Sequence, residues 1–172
     1  GSLEPFNRIK LLSIDSNIFR NVLGRFATGV TVVTGYFDGG LPVGVTVNAF
    51  SSLSLDPPLV LFCLDRSTGS LDAFVNGNGF ALNMLGKNQQ HLSDIFASRK
   101  EDRFSGIDYE TWNSGAPILS GCLANLECSL EAVHEGGDHL IIVGRVEKLM
   151  QADEGRPLLY YQGRYAHIDK LD

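Results

Sequence analysis

The chain has 172 residues, 44% of them apolar and 20% charged, the balance of a folded globular chain rather than a disordered one. Fourteen Lys and Arg against twenty Asp and Glu leave a formal charge of −6, which disfavours a sequence-independent hold on nucleic acid. No apolar run reaches the ~18 residues of a membrane span, and no basic stretch followed by an apolar segment marks a secretory signal.

Gly1-Ser2 reads as a cloning remnant, and residues 1–14 as a loosely ordered arm on a single domain spanning 1–172. Residues 15–29 (DSNIFRNVLGRFATG) read as a helix capped by Asp15 or Ser16. Phe19, Val22, Leu23 and Phe26 make one apolar face, and Gly29 suits a left-handed stop. VTVVTGYF (30–37) then runs into Asp38-Gly39-Gly40, a hairpin signal. PVGVTVNAF (42–50) alternates, with Val43, Val45 and Val47 on one side and Gly44, Thr46 and Asn48 on the other. Asp56-Pro57-Pro58 breaks the chain, and LVLFCL (59–64) is a buried strand.

Ser70 caps a short helix over 71–76, and GFALNML (79–85) is a strand. Leu92, Ile95 and Phe96 give a short amphipathic helix after Asn88. SRKEDRFSG (98–106) is a solvated loop. Over 124–132, Ala124, Leu126, Cys128, Leu130 and Ala132 point one way, and Asn125, Glu127, Ser129 and Glu131 the other. Glu135-Gly136-Gly137-Asp138 turns the chain, HLIIVGRVEKLM (139–150) returns, and LLYY (158–161) is a last strand. Seven or eight strands and two or three short helices, with nineteen glycines for turns, predict a barrel or sandwich. The absence of regular βαβ alternation argues against a doubly wound sheet.

Several chemistries fail on inspection. The glycine series from Gly77 breaks at Leu82 and precedes a strand, so the dinucleotide fingerprint is missing. Gly24 to Gly29 has phosphate-loop spacing, but Val30-Thr31 follows where Lys-Ser/Thr is needed. There is no G-x-S-x-G, and His91, His134, His139 and His167 form no H-E-x-x-H, so no metal site is expected. Cys63, Cys122 and Cys128 form no C-x-x-C and read as small buried hydrophobes in a reducing cytosol. Any enzyme chemistry here comes from a borrowed group.

GVTVNAFSSLSLDPP (44–58) is the informative segment. Thr46, Asn48, Ser51, Ser52 and Ser54 crowd small polar side chains at a strand end. That rim suits a flat heterocycle rich in acceptors, or a phosphate; the alternative is a turn bonding to its own backbone. In Gly137-Asp138-His139 the Asp either orients the imidazole or shapes the turn.

Five pieces occur in order: RFATGVTVVT (25–34), GVTVNAFSSLSLDPPLV (44–60), FALNML (80–85), GDHLIIVGRVE (137–147) and PLLYYQGRY (157–165). Together they resemble the small flavin reductases of two-component flavin-dependent monooxygenases, from about Phe19 to Tyr165. The resemblance implies a mainly β FMN-binding split barrel with a few short helices. It puts Thr46, Asn48 and Ala49 against the isoalloxazine, and Ser51 and Ser52 near the ribityl chain or phosphate. Asp65, Ser67, Asn83, Met84 and Leu85 would close the pocket, and Thr28 and Gly29 add contacts. Arg103 would meet phosphate or remain a solvated loop charge. His139 would sit beside the nicotinamide as the catalytic residue, with Tyr160, Tyr161, Gln162, Gly163, Arg164 and Tyr165 along the pyridine nucleotide. FAD and FMN both remain open. Few basic residues lie near 160–165, only Arg156 and Arg164, which leans to NADH over NADPH. The resemblance further implies a cytoplasmic homodimer that passes diffusible reduced flavin to a monooxygenase. Two other readings stay open: a tight flavin carrier or sensor, and a non-catalytic β-barrel interaction module.

Overall fold

The computed structural model describes residues 11–37 and 39–172. The cloning remnant, most of the expected arm, and Asp38 of the first hairpin lie outside the described residues. Three short helices, α1 (Ser16–Leu23), α2 (Leu71–Val75) and α3 (Gln90–Ala97), accompany twelve described strands. These are β1 (Thr28–Gly29), β2 (Thr31–Tyr36), β3 (Pro42–Val47), β4 (Phe50–Leu55), β5 (Pro58–Asp65) and β6 (Phe80–Met84). There follow β7 (Tyr109–Thr111), β8 (Pro117–Leu119), β9 (Ala124–Gly136), β10 (His139–Gln151), β11 (Leu158–Tyr161) and β12 (Arg164–His167).

Seven strands form one sheet in the order β3-β2-β6-β9-β10-β5-β4. Its outer strands, β3 and β4, are consecutive in sequence and joined only by Asn48 and Ala49. Laid flat, six inter-strand spacings would hold those edges about 29 Å apart. The Val47-to-Phe50 link reaches about 11 Å at most. The sheet must therefore curl until its edges meet, and it closes as a barrel. No ladder joins β3 to β4, so the barrel is split along the seam that Asn48 and Ala49 cross. A second sheet, β1-β11-β12, and the β7-β8 pair lie outside the seven strands.

Two cores result. Val33, Val43, Val60, Phe62, Phe80 and Ile142 pack in one, with Phe62 edge-on to Phe74 and Phe80 at 5.9 and 5.2 Å. Val32, Leu85, Leu92, Phe96 and Leu158 pack in the other, beneath α3. Val32 and Val33 are both fully buried in different cores, so β2 is covered on both faces. Gly44 is needed where α3 crosses, because a Cβ there would come within 2.6 Å of the Phe96 ring.

Several expectations need correction. The first helix stops at Leu23, with Gly24 as its cap, and Gly29 belongs to β1 without a left-handed φ. Asp15 caps it as expected, its Oδ1 accepting from the Ile18 N–H at 2.9 Å. Its apolar residues are not buried: Phe19, Val22 and Leu23 are about half exposed, and Phe26 is 78% exposed. The segment after Asn48 is a strand, β4, not a turn. The polar side of β9 is not solvated near its start, because the 113–123 segment covers it. Asn125 donates to Asn83 and to the Leu119 carbonyl, and Glu127 accepts from both the backbone and hydroxyl of Ser114. Short β1, β7, β8 and β12 complete the count beyond the seven or eight expected.

Candidate active site

The seam carries two clefts. The larger, about 1190 Å³, is walled by α1 and the 24–29 segment, by Asn48, Ala49, Phe50 and Ser51, by Leu61 and Cys63 of β5, and by Tyr160, Gln162 and Gly163. The smaller, about 360 Å³, is lined by Thr46, Asn48, Ala49, Cys63, Asp65, Thr68, Ser93, His139, Tyr160 and Tyr165, among others. Asn48, Ala49, Cys63 and Tyr160 belong to both walls. The clefts therefore meet at the unpaired seam.

Local folding places these groups. The β5 strand alternates, with Val60, Phe62 and Leu64 inward and Leu61, Cys63 and Asp65 outward. Its outward row becomes cleft wall. Cys63 is accordingly half-buried rather than a core hydrophobe, and burial pushes its thiol pKa up. Cys122 and Cys128 are buried as expected, with pKa values raised by burial to about 11 and about 12. β4 is an edge strand, so its outer backbone groups have no ladder partner. The buried Thr28 Oγ1 in the larger cleft also lacks a partner. Apolar walls, free edge amides and an orphaned hydroxyl fit a flat ring system with a polar, phosphate-bearing tail.

His139 opens β10 and is the register partner of Asp65 on β5. Its Nδ1 lies 2.8 Å from Asp138 Oδ1. A carboxylate only accepts, so Nδ1 donates in this bond. The Ser67 backbone N–H and hydroxyl both donate to Asp65 Oδ1, at 2.8 and 2.7 Å. These two bonds hold the Asp65 carboxyl below the usual range, and His139 adds a smaller electrostatic pull. Tyr165 donates to Asp94 Oδ1 at 3.0 Å and shares a 2.7 Å bond with the Ser93 hydroxyl. Its ring meets Tyr160 edge-on at 5.5 Å, and burial leads the rise in its phenol pKa.

The structure brings together Thr28, Gly29, Thr46, Asn48, Ala49, Ser51, Asp65, His139, Tyr160, Gln162, Gly163 and Tyr165 on the two walls. Ser67 reaches them through Asp65, and Ser52 lies beside them on β4. Tyr161 lies under the Arg25 guanidinium at 5.9 Å, and Arg164 is its exposed register partner. Asn83 is elsewhere: fully buried, it donates to the Val32 carbonyl and Thr34 Oγ1 and accepts from Leu119 and Asn125. Leu85 is in the core, and Met84 ends β6 between Thr31 and Ala124. Arg103 turns to the end of α3, donating to the Phe96 and Ser98 carbonyls. Sequence reading missed Leu61, Cys63, Thr68, Ser93 and the α1 wall. Period-two alternation in LVLFCL could have found the first two, but an all-apolar strand does not announce which row faces out.

A curled sheet with two joined clefts on its unpaired seam defines a split-barrel protein. Residues 23–169 match the family model described as Flavin reductase like domain, and the chain belongs to that family and is a flavin reductase. It is 47% identical over 157 residues to the reductase subunit HsaB of a flavin-dependent monooxygenase from Rhodococcus jostii (strain RHA1), covering 91% of this chain and 80% of that protein. It is 42% identical over 156 residues to FMN reductase (NADH) SmoA of Agrobacterium fabrum, covering 91% and 88%. The NADH:FAD oxidoreductase SgcE6 of Streptomyces globisporus C-1027, solved with NAD and FAD fragments, shares the fold at a TM-score of 0.87. It is 34% identical, covering 92% of this chain and 96% of that one.

Proposed function

We propose that this chain catalyses NADH-dependent reduction of free FMN or FAD, working as one domain, and releases the reduced flavin to a separate monooxygenase. The observation that carries this reading is the meeting of the two clefts along Asn48, Ala49, Cys63 and Tyr160. Flavin in the larger cleft and nicotinamide in the smaller would face each other there. Bound flavin supplies N5 as the acceptor for hydride from nicotinamide C4. The chain's part is placement: two ring systems held face to face at the seam turn an encounter into an oriented step. Thr28, Asn48, Ser51 and the outer amides of β4 hold the flavin, and Tyr160 and Tyr165 bound the nicotinamide; Thr46, which the resemblance put against the isoalloxazine, lines the smaller cleft and falls on the nicotinamide side.

His139 lines the smaller cleft, with Nδ1 tied to Asp138. It assists by orienting the carboxamide. His139→Ala is expected to lower kcat/KM for NADH by about 10- to 100-fold, the scale of a lost polar contact. Steady-state kinetics at saturating flavin checks this, and an unchanged constant removes the role.

The half-exposed apolar side of α1, with Leu11, Ile14 and Phe26 beside it, supports a homodimer. No described helix is long and apolar enough to cross a membrane, and we place the enzyme in the cytoplasm. The test is aerobic loss of NADH absorbance with either flavin. Rapid, flavin-dependent loss supports the reductase. Bound flavin without turnover supports a carrier instead.

A further inference from the structure

We propose that Arg66 is a positioning residue for His139. It latches the β9-β10 turn to the end of β5 and so keeps the imidazole at the seam. This rests on the reading above, in which His139 meets the nicotinamide.

His139 occupies an exposed place in the ladder. It is the first residue of β10, and its pairing with Asp65 is the last rung toward β5. Beyond that rung the chain turns through Gly137 and Asp138, with Gly137 at a φ of +67°. A terminal rung frays readily. Asp138, which fixes the imidazole through Nδ1, sits in that turn. If the turn shifts, the histidine and its orienting carboxylate shift together.

Arg66 crosses to this turn with three groups. Its backbone N–H donates to the Asp138 carbonyl at 3.0 Å. Its Nε donates to the Gly137 carbonyl at 3.0 Å. Its Nη2 lies 3.2 Å from Glu135 Oε1. The ion pair is open to water, with the Glu135 side chain 85% exposed, so it contributes little by itself. The directional bond to Gly137 is the part of the side chain that registers the turn. The side chains of Asp65, Ser67 and Asp138 are engaged elsewhere, so beyond the backbone hydrogen bonds the Arg66 side chain is what ties the tip of the hairpin to the end of β5.

The experiment is a double-mutant cycle on kcat/KM for NADH, with flavin KM and melting temperature measured alongside. His139→Ala is expected to lose 10- to 100-fold, and Arg66→Ala about tenfold, since small misplacement of a positioning group is costly. The Arg66→Ala/His139→Ala protein should match His139→Ala within about twofold, because Arg66 acts only through the histidine. Flavin KM should not move. Glu135→Gln should stay within about twofold of wild type, because the bond to Gly137 survives. Backbone amides at 137–139 should exchange faster in Arg66→Ala.

Losses that multiply in the double variant would overturn the proposal, as would a wild-type constant for Arg66→Ala. If Arg66→Ala does not fold, Arg66→Lys replaces it; a loss that persists in the His139→Ala background again overturns the proposal. Full activity of His139→Ala would instead defeat the assignment of His139 to the nicotinamide, a separate result visible in the same cycle.

Discussion

Ala49→Trp is expected to cut kcat/KM for NADH oxidation by at least about 100-fold while the protein stays folded. Ala49 is exposed, lies on both cleft walls and belongs to neither core. Its backbone carbonyl already accepts from the Cys63 N–H at 2.9 Å, so the main chain stays anchored when the side chain grows. An indole there enters the junction of the two clefts. It separates the ring systems that must lie face to face, and hydride transfer falls steeply once the reacting atoms leave contact distance. The loss should appear in kcat as well as in KM, because the geometry of the bound pair is what fails. Stopped-flow reduction of flavin by NADH, with circular dichroism as a check on folding, measures it. A folded variant of near wild-type rate would mean that the two ligands do not meet at this seam.

Asn83→Ala is expected to act in the opposite manner, on stability rather than on catalysis. Its side chain makes four hydrogen bonds at zero exposure. Truncation leaves the buried Leu119 N–H without its acceptor, takes one acceptor from Asn125, and opens a small void. Each buried orphan costs about 1–3 kcal/mol, so a total of about 3 kcal/mol and a fall in Tm of about 10 °C follow for a chain of this size. Flavin KM, measured below the new melting point, should stay within about twofold. Urea unfolding and flavin titration give the two numbers. Unchanged stability with a raised flavin KM would return Asn83 to the cleft.

The sequence made the long strands visible because their outward and inward rows differ in polarity. Val43 and Val47 alternate with Gly44 and Thr46 and are buried, whereas β5 was visible only as an unbroken apolar run after the Asp56-Pro57-Pro58 break. It misled wherever a second layer covers a polar row. Asn125 and Glu127 look solvated in an alternating strand, and it is the irregular 113–123 segment just before β9, with Asn83, that makes them internal. The same holds for α1. Its apolar stripe predicts a buried face, yet among the described residues nothing buries it. β4 was hidden because its serines resemble a turn, whereas its pairing partner is the proline-started β5. The polar bunching of Thr46, Asn48, Ser51, Ser52 and Ser54 marked the 44–58 segment, and of these Thr46, Asn48 and Ser51 line the clefts; Ala49 came only from the family resemblance. Arg103 was not legible, because a loop arginine and a helix-end cap share the same sequence text.

The two-residue passage from β3 to β4 has a consequence for the order of folding. The hairpins β2-β3, β4-β5 and β9-β10 close short loops, while β6-β9 and β5-β10 join segments far apart in sequence. Distant pairings come late, since loop closure must be offset by contacts made afterwards. The seam exists only once those distant pairings have rolled the sheet, so it is the last part of the molecule to acquire its shape. Recovered turnover after dilution from denaturant thus reports completed closure, and it lags the signals of strand formation.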